Sequence, residues 1–341
     1  MSEANQGIIR VVVAMNFSDE IIAQLQAISP RLAIERHFPN VPESVWPEAE
    51  VLYTLHKFPE PSQTPRLRWI QLHSAGLDHV IKAPIIRAED VTVTTASGIH
   101  ATVMAEFCLG MMLALAYQLP HMLRLQVRAE WPEKPHALFA PRELRGQTLG
   151  IVGYGSVGRE LARLANAVGM RILATKRDVM HPEADPNEYT EDGLGDPQGE
   201  LPARLYPSEA LASMAAECDF LVITVPLTDA TRHLVGETVL AAMKKTAFLV
   251  NVARGRVVDE AALVSALAAG RIAGAALDVF AEEPLPAASP LWNLDNVILS
   301  PHVSGNMYRY HEKAAALFAE NLRRYLDNRP LLNRFDRQRG Y

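Results

Sequence analysis

The sequence predicts an α/β protein built around parallel sheets, and three observations carry that expectation. Leu149–Gly158, LGIVGYGSVG, is a short apolar run that breaks into three spaced glycines and leads into a helical pattern, Arg159–Val168. Strand-length β-branched runs alternate with helical patterns from Ile8 to Gly98 and again after Leu149, the sign of strand–helix–strand units. With 341 residues, 49% of them hydrophobic, the chain is long enough for two domains with cores of their own.

A Gly-x-Gly-x-x-Gly between strand and helix is what a dinucleotide site needs. Gly153 allows the tight turn, Gly155 lets a pyrophosphate approach the backbone, and Gly158 lets helix and strand pack closely. The phosphates would sit on the free N–H groups and positive end of the helix, near Ser156 and Val157.

The elements read in order. Ile8–Met15 is a strand, and Ser18-Asp19-Glu20 opens a helix from Ile21 to Ile28. Leu32–Arg36, Val51–Leu55, Leu67–Leu72 and Val91–Thr95 are further strands of a first, mostly parallel unit ending near Gly98. His100–Leu119 reads as one long helix, followed by a polar, aromatic-spiked arm to Arg145 containing Trp131. Strand Leu149–Val152 and its helix begin the second unit, and Arg171–Thr175 is its next strand. Asp178–Arg204 is rich in Pro, Gly, Asp and Glu, and reads as a mobile surface loop. Strands follow at Phe220–Val225, Ala247–Asn251, Gly274–Val279 and Asn296–Ser300, with helices at Glu260–Ala269 and His311–Leu326.

Bulk composition narrows the classes. The net charge of −6 comes without a basic stripe, so neither nucleic acid nor a membrane surface is expected as partner. The two cysteines, Cys108 and Cys218, have no metal-ligand spacing, so no metal site or disulfide framework is expected, and a cytoplasmic location fits. The start MSEANQGIIR lacks the features of a signal peptide, and the most apolar stretch, Phe107–Leu119, is too short to span a bilayer.

Three side chains from separate loops form a candidate set. Arg254 in Asn251-Val252-Ala253-Arg254-Gly255, Glu283 in Asp278-Val279-Phe280-Ala281-Glu282-Glu283-Pro284, and His302 in Pro301-His302-Val303-Ser304-Gly305 each follow a strand. Singly they read as a surface charge, a solvated acid and a turn histidine. Together they lie where open α/β sheets bind ligands. Hydride transfer to a 2-oxo acid needs a grip on the carboxylate, a polarised carbonyl and a proton donor. A guanidinium offers a two-pronged fork, an imidazole exchanges a proton near neutral pH, and a carboxylate beside it fixes its orientation.

With these residues in place, the chain resembles the D-isomer-specific 2-hydroxyacid dehydrogenases, the group of glyoxylate/hydroxypyruvate reductases and phosphoglycerate dehydrogenases. The likeness also runs through Glu143-Leu144-Arg145-Gly146, Val225-Pro226-Leu227-Thr228, Asp259-Glu260, Gly274-Ala275-Ala276-Leu277-Asp278-Val279-Phe280 and Glu283-Pro284-Leu285-Pro286. It implies two Rossmann-like/flavodoxin-like domains with parallel sheets and a cleft between them. Residues 1–99 and 305–341 would form a discontinuous substrate-binding domain, and 100–304 the dinucleotide-binding domain, with a dimerisation arm at 120–145. It implies Arg254 as the substrate ligand and His302 as acid/base with Glu283 as its partner. Ser74, Ala75 and Gly76 would offer N–H groups to the substrate carboxylate. Asp278 and Gly305 would face the nicotinamide, and Thr175, Val225, Pro226, Thr231, Val252 and Ala253 would complete the cofactor contacts beside Arg254 and His302. It also implies a homodimer. Pocket walls are expected from Tyr53, Thr54, Leu55 and His73, with Tyr308 or Trp292 nearby.

The sequence departs from the family's usual pattern in two places. Where an acid usually holds the ribose 2′-hydroxyl, the chain reads Ala174-Thr175-Lys176-Arg177, so NADP(H) is expected over NAD(H). The acidic stretch Asp178–Arg204 is longer than expected and could cover the cofactor. Formate-oxidising relatives carry Gln at the position of Glu283 and are disfavoured. A phosphite-type dehydrogenase, or a dinucleotide-sensing corepressor-like protein, remains the alternative.

Overall fold

Five short strands open the chain, and their burial explains their composition. β1 (Ile9–Val13), β2 (Leu32–Arg36), β3 (Val51–Thr54), β4 (Trp69–Leu72) and β5 (Thr92–Thr94) pair in parallel in the order β2-β1-β3-β4-β5. Every residue of β3 and β4 is buried, so these strands are mostly apolar rather than alternating, with Thr54 and Gln71 as their buried polar members. The first helix, Asp19–Gln26, starts where the Ser18 hydroxyl accepts the Ile21 N–H at 3.3 Å. The last helix, Tyr310–Leu326, packs Phe318 and Leu322 against Val13, Tyr53 and Trp69. Residues 1–99, 185–191 and 307–341 form this unit. The computed structural model describes residues 7–337 and 340. Met1–Gln6, which begin the stretch read for a signal peptide, and Gln338, Arg339 and Tyr341 at the end of the discontinuous domain lie outside the described residues.

The second unit, residues 100–184 and 192–306, is built on seven parallel strands. They are β6 (Thr148–Val152), β7 (Arg171–Thr175), β8 (Arg204–Tyr206), β9 (Phe220–Ile223), β10 (Phe248–Asn251), β11 (Gly274–Leu277) and β12 (Val297–Leu299), in the order β12-β11-β10-β9-β6-β7-β8. Neighbouring residues on a strand face opposite layers. Phe220 and Val222 point to a core shared with helices Ala101–Ala116 and Ser156–Ala167. Leu221 and Ile223 point to one shared with helices Leu211–Glu217, Glu237–Ala242 and Glu260–Ala268. Strand order reverses between β6 and β9, and the glycine loop follows β6 at that switch point.

The two parallel sheets match the fold class read from the sequence, with local differences. β8 and the helices Leu211–Glu217 and Glu237–Ala242 have no counterpart in the sequence reading. The helix expected over His100–Leu119 stops at Ala116. Gln118 adopts a left-handed backbone, φ 53°, and a second helix, Leu119–Val127, departs at 67° with Pro120 in its first turn. The arm therefore begins as a helix, with Leu123 and Val127 exposed on it and Trp131 exposed beyond its end. Among the described residues no single helix is long and apolar enough to cross a membrane.

The segment 178–204 is pinned where a mobile loop was expected. Asp196 is buried, accepting from the Tyr154 hydroxyl at 2.6 Å and from the N–H groups of Glu200 and Leu201. The buried Arg159 donates to the carbonyls of Asp196 and Pro182 at 2.6 and 2.7 Å. Glu160 accepts the Gly195 N–H at 2.8 Å and is itself clamped by both arms of Arg163. Residues 185–191 instead join the first unit, where Asn333 holds Tyr189 N and Asn187 O, each at 2.8 Å.

Candidate active site

Three adjacent parallel strands, β10, β11 and β12, end in the loops of Arg254, Glu283 and His302. The Arg254 loop is shaped by Asn251, whose amide accepts Ala253 N at 3.1 Å and donates to Arg254 O at 3.1 Å. Arg254 donates to the Ala253 carbonyl at 2.8 Å. The next residue, Gly255, crosses the backbone of Phe280 and Ala281 so closely that any Cβ would overlap it. The loop carrying Arg254 and the loop leading to Glu283 are therefore in direct contact, and Arg256 donates to Ala281 O at 3.2 Å.

Glu283 and His302 meet. His302 Nδ1 lies 2.7 Å from Glu283 Oε2, and Phe280 N donates to Glu283 Oε1 at 3.0 Å. The carboxylate cannot donate, so Nδ1 is the donor of this bond and Nε2 lies outside the pair. His302 has a left-handed backbone, φ 54°, a conformation that persists in a non-glycine residue only when its surroundings impose it. They do so here. His302 N donates to the carbonyls of Asp278 and Ser300. The buried Asp278 carboxylate accepts from the Ser300 hydroxyl at 2.7 Å and from Val303 N and Ser304 N, each at 2.9 Å. Asp278 thus builds the histidine loop. That role gives no sign in the sequence beyond an acid at a strand end, and neither does that of Asn251.

The glycine loop fits a dinucleotide. Gly153 has φ 100°, and a Cβ there would lie 2.6 Å from Val225 Cγ1; one on Gly158 would overlap the Gly153 carbonyl. These two glycines satisfy internal packing. Gly155 does not: nothing lies within 4 Å of where its Cβ would be, and its φ of −92° suits any residue. Its lack of a side chain leaves the backbone open to an incoming pyrophosphate. The helix that starts at Ser156 has no side-chain cap and no acid in its first turn, so its first N–H groups and positive end can receive phosphate oxygens.

Other expected cofactor residues are placed around this loop. Thr175 holds it, with Oγ1 accepting Gly153 N and the carbonyl accepting Tyr154 N, both at 3.0 Å. Lys176 is turned onto the inserted segment, donating to the carbonyls of His181 and Glu183, while Arg177 is exposed. Thr231 Oγ1 bonds the Pro226 carbonyl at 2.6 Å. Val252 and Ala253 are buried in the core. Gly305 lies against His100, a residue that sequence reasoning passed over.

In the first unit, Ser74, Ala75 and Gly76 follow β4 directly after His73. Among the described residues nothing accepts from their three backbone N–H groups. Tyr53 and His73 are buried and bonded to each other, Oη to Nδ1, at 2.7 Å. Tyr308 is fully exposed, and Trp292 is exposed while its ring N–H donates to Pro286 O at 3.0 Å.

Residues 109–304 match the family model described as the D-isomer specific 2-hydroxyacid dehydrogenase, NAD binding domain. A glyoxylate reductase from Thermococcus gammatolerans is 39% identical over 262 residues, covering 76% of this chain and 73% of the relative. A solved D-isomer specific 2-hydroxyacid dehydrogenase from Xanthobacter autotrophicus, in complex with NADPH and MES, superposes with a TM-score of 0.79 at 30% identity over 98% of this chain and 100% of its own. A family protein of the same description from Aeromonas salmonicida superposes with a TM-score of 0.76 at 30% identity, covering 97% of this chain and 99% of that one.

Proposed function

This chain belongs to the D-isomer specific 2-hydroxyacid dehydrogenase family, and we propose that it reduces a small 2-oxo acid to the D-2-hydroxy acid, with NADP(H) favoured over NAD(H). The observation that carries the reading is the Glu283–His302 pair, locked at 2.7 Å on the loops after β11 and β12, next to the strand β10 whose following loop carries Arg254. The nicotinamide cofactor, when bound, supplies the hydride. Arg254 grips the substrate carboxylate and carbonyl with its fork. His302, protonated on both ring nitrogens, delivers its Nε2 proton to the carbonyl oxygen as the hydride adds to the carbon, leaving the neutral Nδ1–H ring, which takes the proton back in the reverse reaction. Glu283 holds the Nδ1 proton, so the ring keeps the tautomer and orientation that this transfer needs. The first unit serves as the substrate-binding domain, its Ser74–Gly76 N–H groups suited to a carboxylate, and the second unit binds the dinucleotide.

The preference for NADP(H) rests on Lys176 and Arg177 at the end of β7, where the chain offers cations and no acid. The inserted segment is held by Tyr154 and Lys176, next to the glycine loop and the end of β7, and would stand beside the adenosine end of a bound dinucleotide. The exposed apolar residues Leu123, Val127 and Trp131 of the arm are the surface a second copy would cover, making a homodimer that sedimentation would detect. The location is cytoplasmic, in keeping with two buried, unpaired thiols.

Turnover of glyoxylate, hydroxypyruvate or pyruvate with NADPH tests the assignment. Phosphite oxidation in place of any of these would mark a phosphite-type dehydrogenase. Tight NADPH binding without turnover would mark a corepressor-like sensor. A kcat/KM ratio favouring NADH would reverse the cofactor preference alone.

A further inference from the structure

We propose that Tyr310 is a positioning residue for the substrate carboxylate, acting through the His73–Ser74 peptide; this rests on the reading that Ser74–Gly76 bind that carboxylate. The Tyr310 hydroxyl donates to the His73 carbonyl at 3.0 Å. A trans peptide is planar, and its C=O and N–H point in opposite directions. A donor that fixes the direction of the His73 carbonyl therefore also fixes the direction of the Ser74 N–H. The same bond draws electron density toward the carbonyl oxygen and makes the N–H on the far side a stronger donor.

Everything around this peptide is arranged to hold it. His73 N donates to Thr54 O at 2.8 Å, and Ala96 N donates to Ser74 O at 2.9 Å. The His73 ring is buried, bonded to the Tyr53 hydroxyl and packed edge-on against Phe17, Tyr53 and His311. The Ser74 hydroxyl donates to Gly76 O at 2.7 Å, closing the loop on itself. Each of these bonds uses a carbonyl, a ring nitrogen or a hydroxyl. Among the described residues the N–H groups of Ser74, Ala75 and Gly76 have no acceptor, which suits them to an anion. Burial pushes the Tyr310 phenol up to about 12, so it stays a donor across the neutral range. Tyr310 also opens the last helix, reached from His302 through residues 303–309. The stretch of chain that presents the acid/base thus continues into the residue that orients the carboxylate loop.

The test compares Tyr310→Phe with the unaltered enzyme, using oxamate, a 2-oxo acid isostere that is not reduced, as probe. Removing one neutral hydrogen bond is expected to raise the oxamate dissociation constant about fivefold, with NADPH affinity and thermal midpoint unchanged. The kcat/KM for glyoxylate should fall by a similar factor, while that for its methyl ester, which lacks the carboxylate charge, should hold. Equal losses on acid and ester, or unchanged oxamate affinity, would overturn the proposal. Amide NMR of the unaltered enzyme separates the underlying reading. If oxamate shifts the Ser74–Gly76 resonances and Tyr310→Phe binds it normally, only the role of Tyr310 fails. If those resonances do not move, the carboxylate-loop reading fails and takes the proposal with it.

Discussion

Replacing Glu283 with Gln is the most discriminating perturbation of the acid/base pair, because it preserves shape and removes charge. Oε1 accepts the Phe280 N–H at 3.0 Å and Oε2 accepts the His302 Nδ1 proton at 2.7 Å. An amide has one acceptor, so one of these donors must face an NH2 group. If the backbone keeps the oxygen, the amide NH2 faces Nδ1, which must give up its proton, and the ring is held as the neutral Nε2–H tautomer, a far weaker acid than the imidazolium that the Glu283 charge supports. Hydrogen bonds to charged groups contribute about 1.5–3 kcal/mol, equivalent to about 10- to 150-fold in rate. The side chains of His302 and Glu283 are 46% and 35% exposed, and solvent screening places the loss near the lower end, about tenfold. The assay is steady-state reduction of glyoxylate by NADPH, with cofactor affinity measured separately and expected to hold. Since Glu283 acts through His302, Glu283→Gln combined with His302→Ala should be no slower than His302→Ala alone. A Glu283→Gln enzyme within about twofold of the parent, or losses that multiply in the double variant, would refute this account.

Three further outcomes follow from the same structure. Gly155→Ala should leave the thermal midpoint unchanged and weaken NADPH binding, since its Cβ meets only open space, whereas Gly158→Ala should cost about 1–3 kcal/mol of stability because its Cβ overlaps the Gly153 carbonyl. Burial works against the Asp196 charge, but hydrogen bonds from Tyr154, Leu201 and Glu200 and the nearby Arg159 outweigh it and hold the carboxyl below the usual aspartate range. That anchor's contribution is therefore complete above about pH 4 and lost as the pH falls further; limited proteolysis within 178–204 should rise in acid, and at neutral pH in Asp196→Ala. Burial pushes the Cys218 thiol up to about 12 and the Cys108 thiol higher still, so an aromatic disulfide reagent at about pH 8 should find no reactive thiol until denaturant is added, then both.

The strand–helix alternation, the glycine loop and the three catalytic candidates were legible because each depends on local chemistry. Apolar runs mark buried parallel strands, spaced glycines mark a close crossing, and polar side chains just past strand ends fall on one sheet edge. What stayed hidden depends on distant partners. Asp196 is one of several acids in a stretch whose composition suggests a solvated loop; its burial follows from Tyr154 and Arg159, which precede it in the chain by most of a strand–helix–strand unit. Lys176 stands where a phosphate contact is expected, yet it bonds the carbonyls of His181 and Glu183, and backbone acceptors leave no mark in a sequence. The break at Gln118 was masked by the even apolarity of the residues before it, and Pro120 was the available signal.

The left-handed backbone of His302 narrows what evolution or a designer can place there. Two independent filters act on one codon. The backbone filter, set by Asp278 and Ser300, passes Gly, Asn, Asp and His more readily than branched or bulky residues. The chemical filter passes an imidazole. A saturation library at position 302, sorted first for folded protein and then for turnover, should return that short polar set in the first sort and histidine in the second. The overlap of the two sets is a single residue type, and the turn at the end of β12 is the reason the first set is small.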